Sequence, residues 1–320
     1  MKKIDYEVEE TPIRRVNIGF GQYIEKRRRM DLFHEVNGIP DYAFALDYEL
    51  REKLKKIPGF YEISKKLCAT ATSRAIQQTN VMGLAVGPNQ FNDIYEMGVD
   101  CAKRLGIGIP NIFIINDPTM NAYTYASDNV APIIVLHSGI IERMTKGEVK
   151  CVIAHECGHI HNEHALYQVL AQHIGNTVAG IGNIGAILST SNMALLHVWT
   201  RAGEITADRA ALICADDVND AISVDKKLLY GATLGTQVEI NIEAIRKQLD
   251  MALDNPMANL VEILSDHPGS LRRIVAEMEF EECDIFYKWR PELKKSGQLV
   301  RSKEETDTRC KKIVNVFMKG

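Results

Sequence analysis

The 320-residue sequence is short of several features that would have decided its class at once. Its seven cysteines are odd in number and scattered, and no two of them make a C-x-x-C pair. That argues against a disulfide scaffold and points to reduced thiols in a cytoplasmic compartment. Charge of one sign is not in excess, since 38 Lys and Arg face 42 Asp and Glu. The balance of -4 offers no electrostatic case for nucleic acid, and no nucleic-acid partner is expected. The basic run Lys26-Arg27-Arg28-Arg29 is flanked by Glu25 and Asp31 and reads as a solvated helix face. The first seven residues have no apolar core, so a secretory signal is not expected. No internal repeat is present.

A long uninterrupted apolar run is missing too. The stretch 164–200 contains no Asp, Glu, Lys or Arg, yet Gln168, Gln172, His173 and Asn176 interrupt it. A spanning helix needs roughly 18 or more apolar residues in a row. The stretch is expected to be a buried or mobile hairpin, with peripheral membrane contact through 164–200 as the alternative. The localisation expected is cytoplasmic, with membrane association through that stretch left open.

What is present is His155-Glu156-Cys157-Gly158-His159, an H-E-x-x-H motif after an apolar, helix-compatible run. Residues four apart share one helical face, so His155 and His159 can offer two imidazoles to one metal ion, with Glu156 beside them. The motif is short, and chance would produce it about once in 50 chains of this composition. A second signal is therefore needed, and a third ligand would supply it. A metzincin places Gly at 162 and His at 165, where this chain has Asn162 and Ala165. His161 and His164 read as polar helix residues. The segment 200–210 carries Glu204 and Asp208 four apart beside an apolar run. A carboxylate buried there wants a cation or a donor. One of the two could bind the ion while the other hydrogen-bonds a ligand imidazole. Cys157 reads as a small residue filling its place in the motif.

Along the chain, residues 1–88 read as a helical N-terminal extension, 89–285 as the main domain and 286–320 as a loosely held tail. The fold class expected is α+β and mostly helical. Helices are expected over 47–56 and 91–105, strands over 111–115, 121–126 and 132–136, then helix almost throughout, including 257–264 and 271–278.

Taken in order, the motifs resemble the zinc metallopeptidases related to HtpX and the CAAX prenyl protease. Asn121-Ala122-Tyr123 resembles that family's Asn-Ala-aromatic strand, and Pro132 to Leu136 the strand that follows it. Arg201, Glu204, Ala207 and Asp208 are similar to its R-x-x-E-x-x-A-D segment. The segment from His267-Pro268 to Arg273-Ile274 is similar to its H-P-x-x-x-x-R-I motif. The resemblance covers about residues 91–278.

It implies a gluzincin: a zincin-type catalytic domain with a small antiparallel sheet of about three strands. One catalytic Zn2+ would be held by His155, His159 and Glu204. Glu156 would be the general base, Asp208 would support a ligand, and His267 would stabilise the oxyanion. Asn121, Ile134 and Arg273 would lie on the substrate side, with the strand around Ile134 pairing with substrate backbone. The activity implied is that of a metalloendopeptidase acting on peptide or unfolded protein. A non-catalytic zinc-stabilised binding or scaffold protein, and a peptidase narrowed to short peptides, are the alternatives.

Overall fold

The computed structural model describes residues 34–36, 38–127, 130–166, 190–231, 241–253 and 270–314. His267, the piece 257–264 and most of the uncharged stretch 164–200 lie outside the described residues.

A short hairpin, β1 (Glu35–Val36) with β2 (Ile39–Pro40), precedes two helices, α1 (Ala45–Lys55) and α2 (Phe60–Met82). Strand β3 (Leu84–Ala85) and helix α3 (Asn92–Leu105) follow. Then come β4 (Asn111–Ile115), β5 (Ala122–Ser127) and β6 (Val130–His137). The rest is helical: α4 (Ser138–Arg143), α5 (Lys146–His161), α6 (Thr190–Cys214), α7 (Val218–Tyr230), α8 (Ile242–Leu253), α9 (Ser270–Glu281), α10 (Asp284–Trp289) and α11 (Lys303–Val314).

The three expected strands form, but the sheet is mixed. Its order is β3-β4-β6-β5, with β3 antiparallel to β4, β4 parallel to β6, and β5 antiparallel to β6. The apolar run of β6 explains its central place, because a strand covered on both faces must be apolar at every position. Ile133 and Val135 pack with Ile76 of α2 and Phe113. Ile134 and Leu136, on the other face, join the main core with Ile112 and Ile114. This period-two alternation puts Ile134 inside the protein with no exposed surface. Both edges of β6 are already paired, so a substrate strand cannot add there. The edge strands are β3 and β5, and β5 is the one that lines the cavity described below.

Helix α5 starts from a capping box: Thr145 Oγ1 accepts from the Glu148 amide, and the Thr145 amide donates to Glu148 Oε2. It then runs through the main core and is buried on nearly every side. Helix α6 packs along it, and residues 201–210 of α6 are all buried. Gly158 is where the two helices come closest. A Cβ there would lie 2.8 Å from Ala210 Cβ and 2.9 Å from Ala207 Cα. Cys157 sits beside it with no exposed surface, part of the main core, and burial pushes its thiol well up. It is a packing residue, not a reactive one.

The flanks of the chain are tied to this pair. Phe44, Leu46, Leu50 and Leu54 share one apolar cluster with Trp199, Ala202 and Ile205 of α6 and Cys310 of α11. The stretch 303–314, read from sequence as part of a loose tail, is helical and buries Thr306, Asp307 and Cys310. Those positions lie three and four apart, a stripe easily overlooked in so charged a segment. Among the described residues, no helix is long and apolar enough to cross a membrane.

Candidate metal centre and active-site cavity

A cavity of about 400 Å³ opens where α5, α6, α7, α9 and β5 meet. His155, His159 and Glu204 line it together, although Glu204 comes from a different helix. His155 Nε2 lies 3.1 Å from His159 Nε2 and 3.4 Å from Glu204 Oε2. His159 Nε2 lies 3.6 Å from Glu204 Oε1. A tetrahedral ion with ligand bonds of about 2.0–2.1 Å has donor-to-donor edges of about 3.3 Å. The three separations bracket that edge.

The outer nitrogens make the same case. His155 Nδ1 is 2.9 Å from Asp208 Oδ1, so it carries a proton and donates it to that carboxylate. His159 Nδ1 is 2.8 Å from His164 Nδ1, and His164 Nε2 is 2.9 Å from Asp47 Oδ2. The Asp47 carboxylate can only accept, so His164 donates from Nε2, accepts at Nδ1, and thereby fixes the proton of His159 on Nδ1. Both inner Nε2 atoms then present lone pairs toward one point, next to a carboxylate. That donor set fits a divalent cation and is poor without positive charge between its members.

The electrostatics agree. Burial works against charge on His155, yet its hydrogen bonds to Asp208 and Glu204 outweigh burial and hold it up at about 10. Burial drives His159 well below the usual imidazole range. The carboxylates thus favour a positive charge at the inner nitrogens, whether a proton or a metal ion.

Glu156 is buried and lines the same cavity. Thr124 of β5 donates to its Oε2 at 2.7 Å. Asn121 also faces the cavity, and its Oδ1 accepts from the Ala122 amide. Arg273 of α9, expected on the substrate side, turns instead onto Asp208 with two hydrogen bonds of 2.9 and 2.6 Å. Its Nη1 reaches Asp225 Oδ1 at 3.3 Å. Burial pushes Asp225 up to about 7, and burial also drives Glu277 well above the carboxylate range.

The structure therefore brings together His155, Glu156, His159, Glu204, Asp208, Asn121 and Arg273. Ile134 is the exception, held in the core as described. Sequence reasoning passed over Thr124, Asp47, Asp225 and Glu277, and took His164 for a polar helix residue. No local spacing links Asp47 to His164, 117 positions away. Gly203 leaves room for the His164 ring, since a Cβ there would meet His164 Cε1 at 3.3 Å.

Fold and donor set define a helical α+β protein with an H-E-x-x-H helix completed by a glutamate from the next long helix. Comparison with known proteins narrows the class. The model of Peptidase family M48 matches residues 88–279, and the chain belongs to that family. It is 30% identical over 221 residues to the plastoglobule-localized metallopeptidase 48, chloroplastic, of Arabidopsis thaliana. That match spans 68% of this chain and 64% of the plant protein, less than two thirds of its length. A protease HtpX homolog of Burkholderia cenocepacia (strain HI2424) is 24% identical over 226 residues, covering 63% of this chain and 78% of that protein. Among solved structures, S. mikatae Ste24p matches with a TM-score of 0.42 at 16% identity, over 72% of this chain and 62% of that one.

Proposed function

We propose that the chain is a zinc-dependent metalloendopeptidase that hydrolyses peptide bonds of peptide or unfolded protein substrates. The observation that carries the proposal is the meeting of two lone-pair nitrogens and the Glu204 carboxylate beside Glu156. His155, His159 and Glu204 would hold one Zn2+. When bound, the ion would lower the pKa of a water and polarise the scissile carbonyl as a Lewis acid.

The remaining work falls to the chain's own groups. Asp208 and the His164–Asp47 pair orient the two imidazoles by holding their Nδ1 protons. Thr124 anchors one oxygen of Glu156, so the carboxylate meets an attacking water in a fixed pose. Glu156 takes a proton from that water and returns it to the leaving amine. The outer edge of β5, running through the cavity wall at Asn121 to Tyr125, would receive an extended substrate as an added strand. We assign His267 a supporting role toward the carbonyl oxygen on the family resemblance alone. The division into 1–88, 89–285 and 286–320 is kept as organisation, with α1 and α11 bracing the α5–α6 pair from outside the middle segment. Cytoplasmic placement, with membrane contact through 164–200, belongs to the same proposal.

The test is Glu156→Gln. Peptide cleavage should fall by about 10²–10⁴-fold while zinc content, read by elemental analysis, stays at one per chain. Full activity in the variant would overturn the mechanism.

A further inference from the structure

The cavity extends beyond the candidate metal donors, and the wall supplied by α7 and α9 has a distinct chemistry. Ala221, Val224, Asp225 and Leu228 lie on one face of α7 at helical spacing and line it. Met144 and Cys151 add apolar wall. Glu277, one turn beyond Arg273 on α9, lines it as well. Glu277 acts electrostatically on Cys151, which lies one turn before His155 on α5. This side of the cavity therefore lies about one helical turn, roughly 5 Å, from His155 along α5.

Its two carboxyl groups keep acceptor positions that the described residues leave without a hydrogen bond. Asp225 is 1% exposed and Glu277 3%. Neither oxygen of Asp225 accepts a hydrogen bond, nor does Oε2 of Glu277. Arg273 Nη1 forms an ion pair with Asp225 Oδ1 at 3.3 Å without a hydrogen bond, while its Nε and Nη2 hold the two oxygens of Asp208. Buried carboxylates with unfilled acceptor sites are costly and call for a cation or a donor.

Asp208, Asp225 and Glu277 have oxygens within 4.8 Å of one another, which raises the question of a second metal ion. The geometry argues against it. Asp208 is saturated by Arg273 and His155, and the guanidinium beside the group repels a metal. Asp225 and Glu277 thus close the apolar wall of Ala221, Val224, Leu228 and Met144 with buried carboxyl oxygens whose acceptor positions are open. That arrangement suits a long aliphatic stem with a cationic, hydrogen-bond-donating head.

We propose that Asp225 and Glu277 form a specificity subsite that takes the lysine or arginine side chain of a substrate residue adjoining the scissile bond. The proposal rests on the peptidase reading given above. Asp225 and Glu277 are specificity residues in it and perform no step of the hydrolysis.

The test separates binding from turnover. In the zinc-loaded Glu156→Gln protein, binding of fluorescent peptides is read by anisotropy. The peptides are an uncharged sequence carrying one lysine, moved position by position, and its norleucine counterparts. One or two lysine positions should bind about tenfold or more tighter than norleucine. Asp225→Asn with Glu277→Gln, added to the same background, should bring the two to within about twofold. Equal binding of lysine and norleucine peptides at every position, or a preference untouched by the double change, overturns the subsite. Thermal melting checks the fold of the double variant, and Asp225→Asn alone carries the test if the double variant melts early. Cleavage by the otherwise unaltered protein is measured on the same series. Tight lysine binding with no cleavage would refute the peptidase reading and leave the subsite standing. Cleavage indifferent to lysine would do the reverse.

Discussion

At single positions, the groups behind the three candidate metal donors set how those donors are oriented. His159 reaches Asp47 through His164, over two contacts of 2.8 and 2.9 Å. Asp47 also accepts from Thr206 Oγ1 at 2.8 Å, and burial of its carboxylate is outweighed by His164, so its pKa is lowered. Asp47→Asn keeps the shape but removes the charge that fixes the tautomer. Zinc affinity should then fall by about 10–100-fold, measured by chelator competition, with the far-UV spectrum unchanged. Spacing makes His155 and His159, then Glu204 and Asp208, legible as pairs four apart on helices, but the choice of Glu204 over Asp208 as the third proposed donor comes from the family resemblance. Asp47, Thr124, Asp225 and Glu277 were not, because each reaches the cavity from a separate element. His267 has its case in sequence alone.

Among the elements, α5 carries the two histidines, and its start is the part most exposed to pH. Glu148 closes the capping box and also accepts from Lys227 Nζ at 2.7 Å and Ser223 Oγ at 2.6 Å. Burial alone would raise its pKa, but Lys227, Ser223 and the Thr145 amide bring it below the usual value. With the folded value below the unfolded one of about 4.3, this stabilisation is complete above about pH 4.5. It drains away as pH falls through the folded value. Glu148→Gln should cost about 2–4 kcal/mol at pH 7 by urea unfolding, and the gap to the unaltered protein should narrow steadily as pH falls below about 4.5. The sheet shows where element-level reading stops. Three strands were visible as apolar or alternating runs, but pairing direction depends on how the chain returns. The insertion of β6 between β4 and β5, parallel to one and antiparallel to the other, has no local signature.

For the molecule as a whole, the two ends of the described chain are locked together through α6. Arg209, 1% exposed, pairs with Asp307 Oδ1 at 2.7 Å, donates to the Tyr42 carbonyl at 3.1 Å, and lies over the rings of Phe44 and Phe280. Removing the carboxylate leaves a buried guanidinium without its counter-charge. Asp307→Asn should therefore cost about 3–5 kcal/mol, seen as a lower melting temperature. Because Arg209 follows Asp208 directly, peptide turnover should suffer with it. The overall class, mostly helical with a small sheet, could be read from periodicity. The bracing of α6 by both flanks could not, since charged segments such as 303–314 reveal a buried stripe only when a partner surface is known.

The contact at Gly158 has a wider consequence. Where two helices meet backbone to backbone, the gap between them is set by atoms that every residue shares, not by side chains that vary in size and rotamer. The distance from the histidine pair to Glu204 is then a property of the scaffold, like the spacing of rungs cut into a frame. Side chains elsewhere in the cavity are free to change and redirect what the protein accepts, while the three donors stay in register.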